Sequence, residues 1–502
     1  MKNVLEYLEK TVSDKHDQTA VSIGDRSMTW KEVLETSQMI GTSLARKFDV
    51  KTPIPVLAGK DTDTLCTFFA IAYAGCFYIM LNPQLPETRL MSIIDTLSCD
   101  CVVTDDENYQ LGKKLCSNAV TINSLKNDTD TELLAKIREK SIDTDALYAL
   151  FTSGSTGVPK GVLVSHRNVI DFIDDFTETF NITEKDIIAN QAPFDFDVSV
   201  KDIYSSIKTG AQLVLIPKEL FSKPTELTDY LAEHRVTTLI WAVSALCLLS
   251  TFHCLEYRKP EFINKILFSG EVMPLKHLKE WMNYYHDAQF VNLYGPTEIT
   301  CNCTYHVIDK NRDYENGVPI GKAFKNREVF LLDDKNQRVC EPDVTGELCV
   351  RGTSVAMGYF NNPQQTAAAF VQNPLNSMYP EIIYRTGDLA KYNNQGELVF
   401  CGRKDFQIKH MGHRIELEEI ERAMAKVSGI NRACCVFDGK KSKLYGFYVG
   451  NIEKKELHGI LGKTLPVFMV PGALRQIDEF PLNKNGKIDR KLLFELYGGR
   501  RK

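Results

Sequence analysis

Residues 151–161 read FTSGSTGVPKG and gather four hydroxyl side chains (Thr152, Ser153, Ser155, Thr156), the glycines Gly154 and Gly157, and Lys160. Successive backbone N–H groups in a glycine-bearing turn form a concave nest for anionic oxygens, and hydroxyls add further donors. A lysine contributes a compact point charge beside them. Phosphate is the anion such a set fits. This is not a Walker loop, which places a Ser or Thr directly after its lysine to hold Mg2+; here Gly161 follows Lys160. A plain turn, the other reading, would need the glycines but neither the hydroxyls nor the lysine.

Other residues with chemical capacity are ambiguous singly. Glu298 ends NLYGPTE (292–298) and could be a metal ligand, a helix cap or a surface glutamate. Asp388 in YRTGDL (384–389) would be an ordinary turn residue in isolation. Lys487 in NKNGKIDRK (483–491) reads alone as a solvated lysine. Asp197 in FDFDVS (194–199) could cap the helix that follows it.

Together the motifs are specific. Taken in chain order, FTSGSTGVPKG, FDFDVS, NLYGPTE, GELCVRG (346–352), YRTGDL, GRKDFQIKHMGHRIELEEIE (402–421) and NKNGKIDRK resemble the adenylate-forming superfamily over nearly the whole chain. That superfamily contains acyl-CoA synthetases, luciferases and amino-acid adenylation domains. The resemblance implies activation of a carboxylate with ATP, release of pyrophosphate, and passage of the acyl group to a thiol. It implies a loop at 152–160 around the phosphates, Glu298 on Mg2+, Thr297 at the α-phosphate, Tyr294 stacked on adenine and Asn292 at its edge. Asp388 would accept the ribose hydroxyls with Arg403 assisting. Lys487 would be the main catalytic cation of adenylation, Lys160 only steadying the pyrophosphate side. Asp405 would be the hinge on which a mobile C-terminal domain exchanges Lys487 for a thioester-forming face, and Gly412 would line the pantetheine tunnel.

Asp197 bears on the carboxylate. Amino-acid adenylation domains carry an F-D-x-S motif whose aspartate binds the α-ammonium, and Phe196–Ser199 fits it. An unpaired buried carboxylate facing an apolar acid would be costly, so Asp197 argues for an amino acid. By the same resemblance the remaining pocket positions are Val198, Lys201, Ala242, Leu267, Ser269, Gly270, Leu293, Cys301 and Asn302, a small and partly polar set. Lys201 lies four residues after Asp197 and would share its helix face. Pointing inward it would pair with a side-chain carboxylate or polar group; pointing outward it would balance Asp195 or Asp202. NQAPFDFDVSVKDIY, GEVMP, DFQIK and ELEEIE are similar to D-alanine–carrier-protein ligases. Ser269 replaces that subgroup's cysteine, Lys201 an apolar residue and His413 a tyrosine, while YIMLN stands for YIPVD. D-alanine or a small polar or acidic amino acid such as Ser or Asp is the implied substrate.

The elements that must position these groups are legible as alternation. Short β-rich runs such as AQLVLIP (211–217), TTLIWAV (237–243) and KILFSG (265–270) alternate with helical patterns such as PLKHLKEWMNYY. That predicts parallel strands with crossover helices, an α/β layered core. Residues 325–402 change to short strands punctuated by Gly, Asn and Asp, a compact β-rich unit. Helical spacing returns over 416–426. This change of pattern places a boundary at 403–405, and the resemblance implies 1–402 as a large N-terminal adenylation domain, 403–405 as the hinge and 406–502 as a small mobile α+β domain. LCTFFAIAYAGCFYIML (65–81) is short for a membrane span and divided at Ala74-Gly75, which predicts a buried helix followed by a buried strand.

Composition sets the outer limits. The chain has 502 residues, 43% hydrophobic and 25% charged, with a net charge of −5. That is too long for one ordinary domain and not basic enough for bulk nucleic-acid binding. Fourteen scattered cysteines, without a CxxC pair or a His cluster, fit a reducing cytoplasm better than a zinc site. The N-terminus lacks an apolar signal segment, and no integral membrane protein is expected. No phosphopantetheine attachment motif is present, so the acceptor would be a separate carrier protein acting in trans. Acidic carriers would be steered by Lys484, Lys487, Arg490, Lys491, Arg500, Arg501 and Lys502, or the last three are only a solvated tail. The alternative reading is an acyl-CoA synthetase using free coenzyme A.

Overall fold

The computed structural model describes all residues except 155–157, 316, 440, 483–487 and 499–502. It divides into two compact units. One comprises Met1–Pro83, Leu97–Leu150 and Gly161–Lys404; the other comprises Gln84–Thr96, Phe151–Lys160 and Asp405–Lys502.

In the larger unit the apolar stretch is resolved as expected. Thr62–Tyr73 is a helix with every residue buried, and Phe77–Leu81 is a buried strand. Asp61 caps the helix by accepting from the Thr64 N–H at 2.7 Å. Gly75 makes the reversal at φ +70°, where a Cβ would meet Ile137 Cγ2 at 2.8 Å. Among the described residues no helix is long and apolar enough to cross a membrane.

A nine-stranded sheet carries several of the expected pocket positions. Thr238–Ala242, Lys265–Ser269 and Gln289–Tyr294 run parallel and adjacent, with Ala242 beside Ser269 and Phe268 beside Asn292. Their carboxyl ends meet at one edge, the place where open α/β sheets bind ligands. The sheet is mixed rather than wholly parallel: Thr304–Val307 returns antiparallel to Gln289–Tyr294. The connection between those two strands is too short for a crossover helix. Alternate residues face opposite sides. Leu239, Trp241, Ile266, Phe268 and Phe290 enter one core with the helices Val243–Thr251 and Leu275–Tyr284. Ile240, Leu267, Val291 and Leu293 enter another with Val200, Ile203 and Ile207 of the helix Val198–Thr209. Ala242 and Ser269 share that second parity, so the pocket positions fall on the face that carries the Asp197 helix.

The β-rich segment forms an antiparallel sheet around Arg327–Leu332, Thr345–Gly352, Ile382–Tyr392 and Leu398–Arg403. A seven-stranded sheet includes Ala146–Thr152, Lys160–Ser165 and Gly358–Tyr359.

In the smaller unit three strands, Ile430–Asp438, Lys443–Gly450 and Ala473–Gln476, form a sheet. The helices Leu417–Ala425 and Lys454–Thr464 supply Leu417, Ile420, Leu457 and Leu461 to its core. Gln407–His410 and His413–Glu416 form a hairpin whose two turn residues, Met411 (φ 53°) and Gly412 (φ 79°), are both left-handed. Two-residue hairpins of matching twist require that conformation.

Candidate active site

The groups expected around the nucleotide sit on adjoining elements of the larger unit. Register places Asp388 opposite Arg403, and one Asp388 carboxylate oxygen accepts from the Arg403 guanidinium while the other accepts from the Tyr294 hydroxyl. Asp388 is buried, so both charges are held by hydrogen bonds in a low-dielectric setting. The sequence reading gave Tyr294 only its ring; the structure adds its hydroxyl. Asn292 is buried, and its Nδ2 donates to the Pro319 carbonyl at 2.8 Å.

Thr297 and Glu298 lie in a short 3-10 helix directly after the strand Gln289–Tyr294. Glu298 is fully buried, and its Oε1 accepts from the Tyr359 hydroxyl at 2.7 Å. A second bond holds the same residue: Ala356 N–H donates to the Glu298 carbonyl at 2.9 Å. Tyr359 in turn pairs with Val162 of the strand Lys160–Ser165. Residues 356–359 thus strap Glu298 to that strand. One hard carboxylate with a fixed orientation suits Mg2+, which keeps several waters and draws its remaining ligands from substrate phosphates. Sequence reading missed Tyr359, because its partner is 61 residues away and no spacing rule joins them. Tyr359→Phe is expected to raise the Mg2+ concentration for half-maximal activity about 10-fold, the usual cost of losing an orienting outer partner. The KM for the acid substrate should hardly change. Activity against Mg2+ concentration checks this, with direct Mn2+ binding as a readout independent of turnover.

The pocket positions converge in the same unit. Asp197 occupies the N-cap position of the helix Val198–Thr209, but its side chain makes no capping bond. The capping reading therefore does not hold. Its backbone carbonyl instead accepts from Cys301 Sγ at 2.9 Å. Lys201, one turn on, is 1% exposed, which overturns the outward reading. Its Nζ donates to Asn302 Oδ1 at 2.8 Å and to Ser269 Oγ at 3.4 Å. Burial pushes its pKa down, against the opposing pull of Cys301, Asp197 and Asp202. Ala242, Leu267, Ser269 and Leu293 arrive on the strands named above, and Val198 begins the helix.

Backbone geometry shapes the rim. Gly270 lies at φ +98° with open space where a Cβ would be, so conformation rather than room demands glycine. Thr300 (φ 56°) and Cys301 (φ 70°) are left-handed without being glycine. Thr300 Oγ1 holds that strained turn by donating to the Ser354 carbonyl at 2.9 Å. The turn passes so close to Gly295 that a Cβ there would meet the Cys301 carbonyl at 2.5 Å. Tyr148 was not foreseen: its hydroxyl is buried and unpartnered among the described residues, within electrostatic reach of Cys301 and Asp197.

The smaller unit holds the rest of the expected set. Thr152 ends the strand Ala146–Thr152, and its buried Oγ1 has no hydrogen-bond partner among the described residues. Ser153 Oγ donates to the Arg414 carbonyl at 2.8 Å. Gly154 follows it, and Lys160 begins the strand Lys160–Ser165. Asp405 accepts from the Gln407 N–H at 3.1 Å, and Gly412 turns the hairpin. Ser155, Thr156, Gly157, Lys484, Lys487, Arg500, Arg501 and Lys502 lie outside the described residues.

With this geometry in place, the comparisons with known proteins are specific. The family model for AMP-binding enzymes matches residues 8–360. Zwittermicin A synthase ZmaJ of Bacillus cereus is 32% identical over 98% of this chain and 94% of its own length. Bacitracin synthase 1 of Bacillus licheniformis is 31% identical over 98% of this chain, which spans only 9% of that much longer protein. Among solved structures, the Vibrio cholerae adenylation domain AlmE, in complex with glycyl-adenosine-5'-phosphate, superposes with a TM-score of 0.86. It is 22% identical, covering 99% of this chain and 98% of AlmE, a likeness of fold.

Proposed function

The chain belongs to the AMP-binding enzymes, ATP-dependent ligases that form AMP, and from that premise we propose that it activates a small α-amino acid and transfers it to the phosphopantetheine thiol of a separate carrier protein. D-alanine, or a small polar or acidic amino acid such as Ser or Asp, is the substrate class. The observation that carries the amino-acid reading is Asp197: its carboxylate begins the pocket helix without capping it. A substrate α-ammonium is the group assigned to that carboxylate.

In the first half-reaction a substrate carboxylate oxygen attacks the α-phosphorus of ATP. The bond from that phosphorus to the bridging oxygen breaks, and pyrophosphate leaves with the electron pair. Negative charge concentrates on the α-phosphate oxygens, where fixed cations and donors matter most. Lys487 and Thr297 are assigned to that phosphate, and the 152–160 loop with Lys160 to the β- and γ-phosphates. Asp388, oriented by Arg403 and Tyr294, is assigned to the ribose hydroxyls, and Asn292 and the Tyr294 ring to adenine. Glu298 would hold Mg2+, which when bound neutralises phosphate charge. In the second half-reaction the thiol attacks the acyl carbon and AMP leaves. Rotation about Asp405 would remove Lys487 and present the Gly412 hairpin to the pantetheine arm. The adenylation and synthase names of the relatives agree with this reading.

The test is ATP–pyrophosphate exchange with a panel of amino acids in both enantiomers, followed by thiol acceptors. Exchange restricted to a few small amino acids is expected, with thioester formed on a holo carrier protein in preference to free coenzyme A. A flat response across the panel would remove the amino-acid assignment, and preference for coenzyme A would remove the carrier assignment.

A further inference from the structure

The surroundings of Asn292 permit its amide one orientation. A carbonyl oxygen only accepts, so the amide must turn its Nδ2 to the Pro319 carbonyl, 2.8 Å away. That leaves Oδ1 on the other side, and among the described residues no donor reaches it. A ligand that meets this oxygen must donate to it. The exocyclic amine of adenine is such a donor. The keto oxygen in the same place on guanine or hypoxanthine would set lone pair against lone pair.

A ring of contacts closed by His306 holds the amide in place. His306 and Asn292 lie directly opposite each other on antiparallel strands, so both side chains stand on one side of the sheet. His306 is buried. Its Nδ1 lies 3.2 Å from Glu397 Oε1, and its Nε2 lies 2.9 Å from the Tyr314 hydroxyl. Burial pushes the imidazole pKa below its usual range, with Glu397 opposing, which keeps the ring neutral at pH 7. An ionised carboxylate cannot donate, so the single ring proton sits on Nδ1 and Nε2 accepts from Tyr314. The Tyr314 oxygen in turn accepts from the Asp309 N–H at 2.9 Å. Glu397 also accepts from the Arg312 guanidinium at 3.0 and 2.7 Å and from Asn393 Nδ2 at 2.9 Å.

Pro319 is tied to this pair from both sides. Tyr314 lies five residues before it. Leu398, next to Glu397, accepts at 2.8 Å from the N–H of Ile320, directly after it. Gly321 follows at φ +80°, so near the strand of His306 that a Cβ would meet the Tyr305 carbonyl at 2.0 Å. We propose that His306 is a positioning residue for nucleobase selection: by bridging Tyr314 and Glu397 it fixes the Pro319 carbonyl, which keeps Asn292 Oδ1 turned toward an exocyclic amine. This rests on the assignment of Asn292 to adenine given above and adds the residues that orient it.

Pyrophosphate exchange with ATP against inosine triphosphate reads the proposal, because hypoxanthine carries a keto oxygen where adenine carries its amine. His306→Phe keeps an aromatic ring and removes both polar atoms. It is expected to raise the KM for ATP about 10-fold and to shrink the ATP-to-ITP ratio in kcat/KM by about the same factor, the effect of one partner lost from a buried polar network. Turnover at saturating ATP and the KM for the amino acid should hardly move. His306→Gln, which presents an acceptor to Tyr314 and an N–H to Glu397, should restore most of the ratio. Tyr314→Phe removes one link alone and should shift the ratio the same way by a smaller factor. It decides the matter if thermal unfolding shows that His306→Phe does not fold. Equal losses with both nucleotides, or a ratio that His306→Gln fails to restore, would overturn the positioning role. Asn292→Ala tests the premise separately: the ratio should collapse, and a ratio preserved there would remove Asn292 from adenine recognition itself.

Discussion

Lys487→Ala is expected to lower amino-acid-dependent pyrophosphate exchange roughly 10³-fold, the upper range for deleting one fixed transition-state donor. Thioester formation from supplied aminoacyl-adenylate should be nearly unaffected. The asymmetry is the point. The first half-reaction gathers negative charge on a phosphate, so a missing cation acts on its barrier. The second expels AMP from an acyl carbon already activated. Lys487 lies outside the described residues, but both flanks of its segment are anchored. Leu482 bridges Ile488, Asp489 N–H donates to the Pro481 carbonyl at 2.8 Å, and the Asp489 side chain caps the helix Arg490–Tyr497. Arg490 also lies over the Phe406 ring at 3.9 Å, beside the proposed hinge at Asp405. Both half-reactions are to be measured on the same preparation. An equal loss in both would mean a folding or docking defect, and intact exchange would remove Lys487 from the mechanism.

Asp197→Ala should reduce exchange by two to three orders of magnitude, since leaving a buried charge without its partner costs about 3–5 kcal/mol. Stability should change little. A capping aspartate lost to alanine would cost about 1 kcal/mol, whereas Asp197 makes no such bond. The loss should also depend on the substrate: a des-amino analogue brings no ammonium to be orphaned. It should therefore gain on its amino-acid parent by at least 10-fold in the variant, a relative shift of about 1.4 kcal/mol. Equal losses for the two compounds would place Asp197 in the architecture of the pocket rather than against the ammonium. Thermal unfolding of the variant separates those cases from simple destabilisation.

Much of the architecture was readable locally. Thr238–Ala242, Lys265–Ser269 and Gln212–Leu215 are strands where β-rich runs stood, and Leu275–Tyr284 and Leu417–Ala425 are helices where apolar spacing matched the helical turn. Family membership was legible because seven motifs recur in a fixed order along the chain. The expected parallel strands are present, and the sheet adds an antiparallel return at Thr304–Val307, where the connection is too short for a crossover helix. Alternation of element types carries no information about such an edge.

By itself, then, the order of residues determined the reaction family, the α/β layering and the residues that could take part. It left open which way Lys201 points, since helical spacing puts Asp197 and Lys201 on one face without saying what that face meets. Tertiary packing decided it. The strand ends at Ala242, Ser269 and Leu293 share a side of the sheet with the helix Val198–Thr209, which turns Lys201 into the interior against Ser269 and Asn302. Tertiary structure alone also joined Tyr359 to Glu298 across 61 residues and Tyr294 to Asp388 across 94. Local propensity acts within a few residues, whereas these hydrogen bonds exist only where strand register and sheet pairing bring remote backbones together.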